Sequence, residues 1–259
     1  MAFVVTGSLG FVFAALWWIF YRPPKSHGLI SEGERSYITE GQEPDKAAGT
    51  ADRKPPPVKK ILSSPRFWGI AIPRFLAEPA WQTFNFWIPL YLVTVRHMNL
   101  KEIAIFAWLP FLAADLGGIF GGYLSPFLMK VFKMELISSR IAGIVLGAIL
   151  MIGPGSIGLA ASAYVAIALF CVGGFAHQMI SALLNTLSAD VFDAHEVATA
   201  NGFTGTAAWT GGLLFSLVVG ALATTIGYGP LFASLAVFDL IGAVIVIALV
   251  RRPRPSLAT

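Results

Sequence analysis

Residues 72–92, IPRFLAEPAWQTFNFWIPLYL, place Arg74 and Glu78 four residues apart inside an aromatic and aliphatic run long enough to cross a bilayer. An ionised side chain at membrane depth costs about 2.5–3.5 kcal/mol on insertion scales, so it persists where it meets a partner or faces a cavity. At helical spacing Arg74, Glu78, Trp81 or Gln82, Asn85 and Pro89 share one face. Pro79 and Pro89 each remove a backbone donor, so a kinked or broken helix is expected here. Broken helices near the membrane midplane mark binding sites in many transporters. With the chain entering the membrane near Arg66, Arg74 lies about 10 Å and Asn85 about 25 Å along the axis. Arg74 and Glu78 then suit a gate or ion pathway, and Gln82 and Asn85 a central cavity. The alternative is a structural ion pair that neutralises itself.

A second polar face runs through His177, Gln178, Ser181, Asn185 and Ser188. Imidazole, amide and hydroxyl groups suit the hydroxyls and carboxylate of a sugar acid. The same groups also bridge neighbouring membrane helices, and His177 titrates near neutrality in an ordinary setting. Asp115 and Asp239 fall mid-span, as a proton carrier or a helix contact would. Asp190, Asp193 and Glu196 form an acidic turn able to pair with Arg74 or Arg140, or to stay solvated. Gly117, Gly118, Gly121 and Gly122 form interleaved small-residue pairs that let helices approach; they carry no P-loop lysine. No metal-ligand spacing, cofactor motif or catalytic constellation is present, so an enzyme is not expected. Cys171 reads as a small buried hydrophobe.

The 259 residues are 56% hydrophobic and 12% charged, about half the charge of a soluble domain. That places the chain in the membrane class. The net charge of +4 does not indicate nucleic acid, because the basic residues flank apolar spans. Seven stretches meet the length of about 20 apolar residues that a bilayer requires: 2–20, 68–95, 103–129, 137–154, 160–188, 198–225 and 229–250. Residues 21–67 are polar and include three consecutive prolines at 55–57. Such a composition cannot bury a core and reads as a cytosolic loop, with a short helix near Ser31–Thr39 and Ser31 and Glu34 as a capping box. That loop holds nine Lys or Arg. Six more lie at the alternate ends and the tail, against Arg96 and Lys101 on the opposite side. The loop and the C-terminus are therefore expected in the cytoplasm.

The expected architecture is an all-α membrane protein: a helix at 1–20, a cytosolic loop at 21–67, a six-helix bundle at 68–250 and a cytosolic tail at 251–259. A central cytosolic loop separates two six-helix halves in many transporters, so 1–20 reads as the last helix of a first half. The odd number of spans suggests a truncated or split protein.

PRFLAEPAW at 73–81, LKEIAIFAWLPFLAADLGGIFGGYL at 100–124, GGFAHQ at 173–178, EVATANGFTG at 196–205 and LFASLAVFDLIGA at 231–243 resemble the anion:cation symporter branch of the major facilitator superfamily, most specifically bacterial hexuronate transporters. The resemblance covers nearly the whole chain. It implies proton-coupled uptake of glucuronate and galacturonate by alternating access in a bacterial inner membrane. It implies an N-terminal half as partner, where related symporters carry the main substrate arginine and the proton-accepting carboxylates. Gln82, Asn85, Gln178 and Ser181 would face uronate hydroxyls, with Trp81 and Trp209 as stacking walls. Arg74, Glu78, Asp115 and His177 would belong to the gate or ion pathway. Other members carry Asn two positions before Asn185, where this chain has Leu183, which departs from the pattern.

Overall fold

A computed structural model describes residues 2–23, 26–39, 58–193 and 195–250, and all regular structure among them is helical. The expected tail at 251–259 and residues 24–25 and 40–57 of the expected loop lie outside the described residues. The chain divides into two units, Met1–Pro55 and Pro56–Thr259.

The first unit contains α1 (Ala2–Phe20) and α2 (Glu32–Thr39). The side chains described along α1 are exposed and apolar all round, as a lipid-facing helix requires. Its end is marked by a stack of Trp17 on Tyr21, and Arg22 Nη1 donates to the Trp18 and Tyr21 carbonyls. At the start of α2, Ser31 Oγ accepts from the Glu34 amide at 3.1 Å, the N-cap half of the expected capping box.

The second unit opens with the short α3 (Val58–Leu62), followed by α4 (Pro65–Gln82). A π-helical turn over Thr83–Trp87 joins α4 to α5 (Ile88–Thr94). α6 (Leu100–Phe106) and α7 (Leu109–Phe132) form the next span. α6 starts on a complete capping box between Asn99 and Glu102. Then come α8 (Leu136–Leu150), α9 (Ile152–Gly155) and a 3₁₀ turn at Ile157–Leu159. The long helices α10 (Ala163–Val191), α11 (Val197–Ile226) and α12 (Tyr228–Leu249) complete the bundle. Gly227, with φ +75, makes the tight turn between the last two. Among the described residues, six helical segments are long and apolar enough to cross a membrane. The polar span expected at 68–95 is not one of those six; it is built from α4, the π turn and α5.

Two helix pairs set the layout, α7 against α10 and α4 against α11, with α12 lying along the back of α4. Both pairs rest on glycines. A Cβ on Gly117 would run into the Phe175 carbonyl, and one on Gly174 into that of Pro110. Gly211 makes the same approach to the Phe75 carbonyl. α8 closes on α10 through Gly143 and Gly147, which Leu183 and Ile180 fill, and a Ser125–Ser139 hydrogen bond of 2.5 Å ties α7 to α8. Near the far end of α5, buried Tyr91 packs edge-on against Phe170 and Phe232. Arg96 bonds to the Tyr91 hydroxyl and to the Ile157 carbonyl, closing that end of the bundle.

These contacts separate the glycines of α7 by consequence. Gly117→Leu must push α10 away, an overpacking penalty of about 1–3 kcal/mol or more, and is expected to lower the thermal midpoint and homogeneity of the protein in detergent. Gly122→Ala meets nothing within 4 Å and is expected to behave as the unaltered chain. Equal behaviour of the two variants in a thermal melt would contradict this account of the α7–α10 contact.

Candidate functional site

The site is built along α4. Ser64 precedes the helix in extended conformation and Pro65 opens it, where a missing N–H is harmless. Pro73 and Pro79 lie inside, and each leaves an upstream carbonyl without its amide. Thr83 Oγ1 donates to the Pro79 carbonyl at 2.8 Å, and Asn85 Nδ2 to the Trp81 carbonyl at 2.8 Å. The expected break is a π turn over Thr83–Trp87, within which these two side chains bond carbonyls one turn back.

A crevice between α4 and α10 is lined by Arg74, Ala77, Glu78, His177, Ser181 and Leu184. Arg74 does not pair with Glu78: among the described residues no ion pair joins them. Instead its Nη1 donates to Thr204 Oγ1 of α11 at 3.0 Å, and Thr204 is fully buried. Glu78 turns toward α11 as well, its stem and that of Gln82 packing over Gly212. His177 is buried and stacks on Trp81, with ring centroids 5.6 Å apart and planes 12° from parallel. Phe111 of α7 meets Trp81 edge-on at 5.8 Å. His177 Nδ1 has no hydrogen-bond partner among the described residues.

Residues 1–153 of the chain match the sequence profile of the Major Facilitator Superfamily. The chain belongs to this superfamily. It is 57% identical over 246 residues to the hexuronate transporter of Escherichia coli K12, covering 95% of this chain and 56% of that protein. It is 55% identical over 168 residues to the galacturonate transporter of Dickeya chrysanthemi, covering 65% of this chain and 48% of that one. More distantly, it is 32% identical over 148 residues to the human sodium-dependent phosphate transport protein 4, covering 57% and 34%. The chain spans about half the length of the curated relatives it matches. The family and these relatives are transporters, not enzymes, and the helices fit a multi-pass membrane protein.

In this superfamily bundle the expected site residues separate into groups. Arg74, Glu78, His177 and Ser181 meet around one crevice with Trp81 beside it, one face of that indole being covered by His177. Gln82 is buried and lines a second groove toward α11. Gln178 is half-buried and packs over Gly118. Asn85 is exposed and its amide is committed to the Trp81 carbonyl, as that of Asn185 is to the Ser181 carbonyl. Asp115 is exposed on α7, four residues beyond Phe111, outside the crevice. Asp239 is buried in α12, and its Oδ2 has no hydrogen-bond partner among the described residues. Thr204, the partner of Arg74, is missing from the sequence-level set. Its signal was the buried stripe Thr204, Ala208, Gly211, Phe215 at helical spacing.

The acidic turn between α10 and α11 divides its partners. Arg140 Nε bonds Asp190 Oδ2 at 3.0 Å, one of the two expected partners. Arg74 takes none of the three acids. Glu196, buried, accepts from Lys60 Nζ of α3 at 2.9 Å, with Asp193 3.8 Å from the same ammonium and His195 Nε2 3.9 Å from Glu196 Oε1. Beside this bridge Ile61, Phe67, Ala71 and Ala200 form a small separate core, so α3 is fastened to the turn by charge and apolar contact together. Among the described residues no cluster of His, Cys, Asp or Glu could hold a metal ion.

The Lys60 hydrogen bond holds the Glu196 carboxyl below the usual glutamate range, and Glu196 raises the Lys60 ammonium. A depressed carboxylate contributes stability above its unfolded value of about 4.3, and that contribution is lost as pH falls through the folded value. The thermal midpoint of the unaltered chain should therefore fall on acidification below about pH 4.3. Glu196→Gln should start lower at neutral pH and fall less. Parallel pH profiles for the two proteins would refute the linkage.

Proposed function

We propose that this chain forms the C-terminal bundle of a proton-coupled hexuronate transporter, acting with an N-terminal bundle by alternating access in a bacterial inner membrane, with its C-terminus cytoplasmic. The observation that carries this reading is the α4–α10 crevice. Among the described residues it sets a guanidinium that is in no ion pair beside His177 Nδ1 and a Ser181 hydroxyl that have no hydrogen-bond partner there. An anionic sugar acid offers what such a wall lacks: a carboxylate for Arg74 and a hydroxyl for Ser181. The names of the E. coli and Dickeya relatives support the same substrate class. Binding between two bundles near the midplane is the general plan for this architecture. Glu78, His177 and Asp115 are the titratable groups on these helices that suit a proton pathway, and Arg74 bridging α4 to α11 suits a gate.

Vesicles holding this chain together with the N-terminal bundle of the E. coli hexuronate transporter should accumulate labelled glucuronate and galacturonate. An inward proton gradient should drive that uptake and a protonophore should abolish it. The chain on its own should take up neither. Uptake insensitive to the gradient would remove the symport claim, uptake by the chain alone would remove the half-transporter claim, and uptake of phosphate in place of uronates would remove the substrate claim.

Arg74→Ala should reduce uptake by about tenfold or more, the scale of one lost charge-assisted hydrogen bond, while glucuronate binding persists in part. Unchanged uptake at normal expression would dismiss the gate role.

A further inference from the structure

A groove of about 370 Å³ opens where α4 begins beside the end of α12, a volume within the range of small-molecule sites. Ser64, Pro65 and Arg66 line it from the start of α4, and Ala248 and Leu249 line it from α12. Farther along α4 the two helices touch, because a Cβ on Gly69 would run into the Val250 side chain. The position is interfacial. Lys59, Lys60, Ser63 and Ser64 precede it in the chain, and the apolar run starts at Phe67. Trp68 is 47% exposed, and its Nε1 donates to the Leu62 carbonyl at 2.8 Å, the setting an indole takes at a membrane surface. Arg66 is eight residues from Arg74, about 12 Å along the axis, so the groove is separate from the α4–α10 crevice.

The positive charge here is unspent. Among the described residues Arg66 is in no ion pair, and its side chain makes one hydrogen bond, Nη1 to the Val191 carbonyl at 3.5 Å, beyond the usual range. Asp193 and Glu196 line the adjoining pocket with Arg66, yet Lys60 is the cation that pairs with them. Ser64 leaves its hydroxyl unused as a cap. Lys59 is exposed and unpaired among the described residues, and Arg251 and Arg252 follow α12 in the sequence. Toward the membrane interior the wall is apolar. Val237, Ile241, Val244 and Ala248 are exposed on α12, and their spacing makes one stripe that ends at the groove.

We infer that this groove holds one anionic phospholipid, with its phosphate on the Arg66 guanidinium and the Ser64 hydroxyl and an acyl chain along the α12 stripe. A guanidinium matches phosphate with two parallel N–H bonds, and basic pockets between membrane helices take acidic headgroups. A free phosphate would meet the same cation and leave the apolar wall uncovered. A zwitterionic lipid would cover the wall and bring its own cation beside Arg66 and Lys59. An acidic lipid satisfies both parts of the groove. It would come from the leaflet on the side of the 21–67 loop.

The test is native mass spectrometry of the full chain in detergent, titrated with phosphatidylglycerol and, separately, with phosphatidylcholine of the same acyl chains. The first phosphatidylglycerol should bind about tenfold more tightly than phosphatidylcholine, the scale of one charge-assisted hydrogen bond. Arg66→Gln should remove most of that preference, and Arg66→Lys should keep part of it. Ala248→Phe fills the groove and leaves every charge in place, so it should weaken phosphatidylglycerol binding several-fold. Lys101→Gln, beyond α5, should change nothing, and inorganic phosphate should not displace the lipid. Where Arg66→Gln disturbs folding by circular dichroism, Ala248→Phe, at an exposed position, decides. Equal binding of the two lipids, displacement by inorganic phosphate, or unaltered phosphatidylglycerol affinity in either Arg66→Gln or Ala248→Phe would overturn the assignment.

Discussion

A polar group at membrane depth has to bond within the protein or face a water-filled hollow, because lipid offers it nothing. That constraint sorts the side chains of this bundle into two kinds. Thr83, Asn85, Thr94, Asn185, Thr186, Ser188, Thr206 and Thr210 turn back onto carbonyls of their own helix and are self-sufficient. Gln82, Ser181, Ser216 and His177 Nδ1 make no hydrogen bond among the described residues, and they lie along the two flanks of α4. The uncommitted set is the one with capacity left for a ligand.

That gathering depends on how closely the helices approach. Gly211 and Gly212 bring α11 against α4, and Gly117, Gly118 and Gly174 bring α7 against α10. Side chains at Gly211 or Gly212 would hold α11 off α4, and Arg74–Thr204 would open. With the pairs closed, α4 stands as a ridge between a charged crevice and an aromatic groove. Its π turn then carries Phe86 and Trp87 toward α11 while Phe84 packs on Phe170 of α10.

Much of this was legible in the chain. Pro79 and Pro89 announced an irregular helix, since each lacks an amide. The face through Arg74, Glu78 and Trp81 followed from helical spacing, and Ser31–Thr39 and the long apolar spans appear where composition placed them. The pairing of Arg74 was not legible. Four-residue spacing pointed to Glu78, whereas the guanidinium reaches across to a buried threonine 130 residues away. Asn85 illustrates a second limit: an amide on the right face is still unavailable when a π turn leaves a carbonyl one turn below it. Trp81 illustrates a third, because a wall foreseen for a sugar has one face occupied by His177.

Sequence alone determined that this is a bundle of membrane helices with a few charges inside it, because hydropathy, proline and spacing act within one segment and require no neighbour. Only the tertiary structure decided which polar groups remain unspent, because that depends on which helix lies opposite. The glycines that set those neighbours act through atoms they lack, and a missing Cβ names no partner until two backbones are seen to touch.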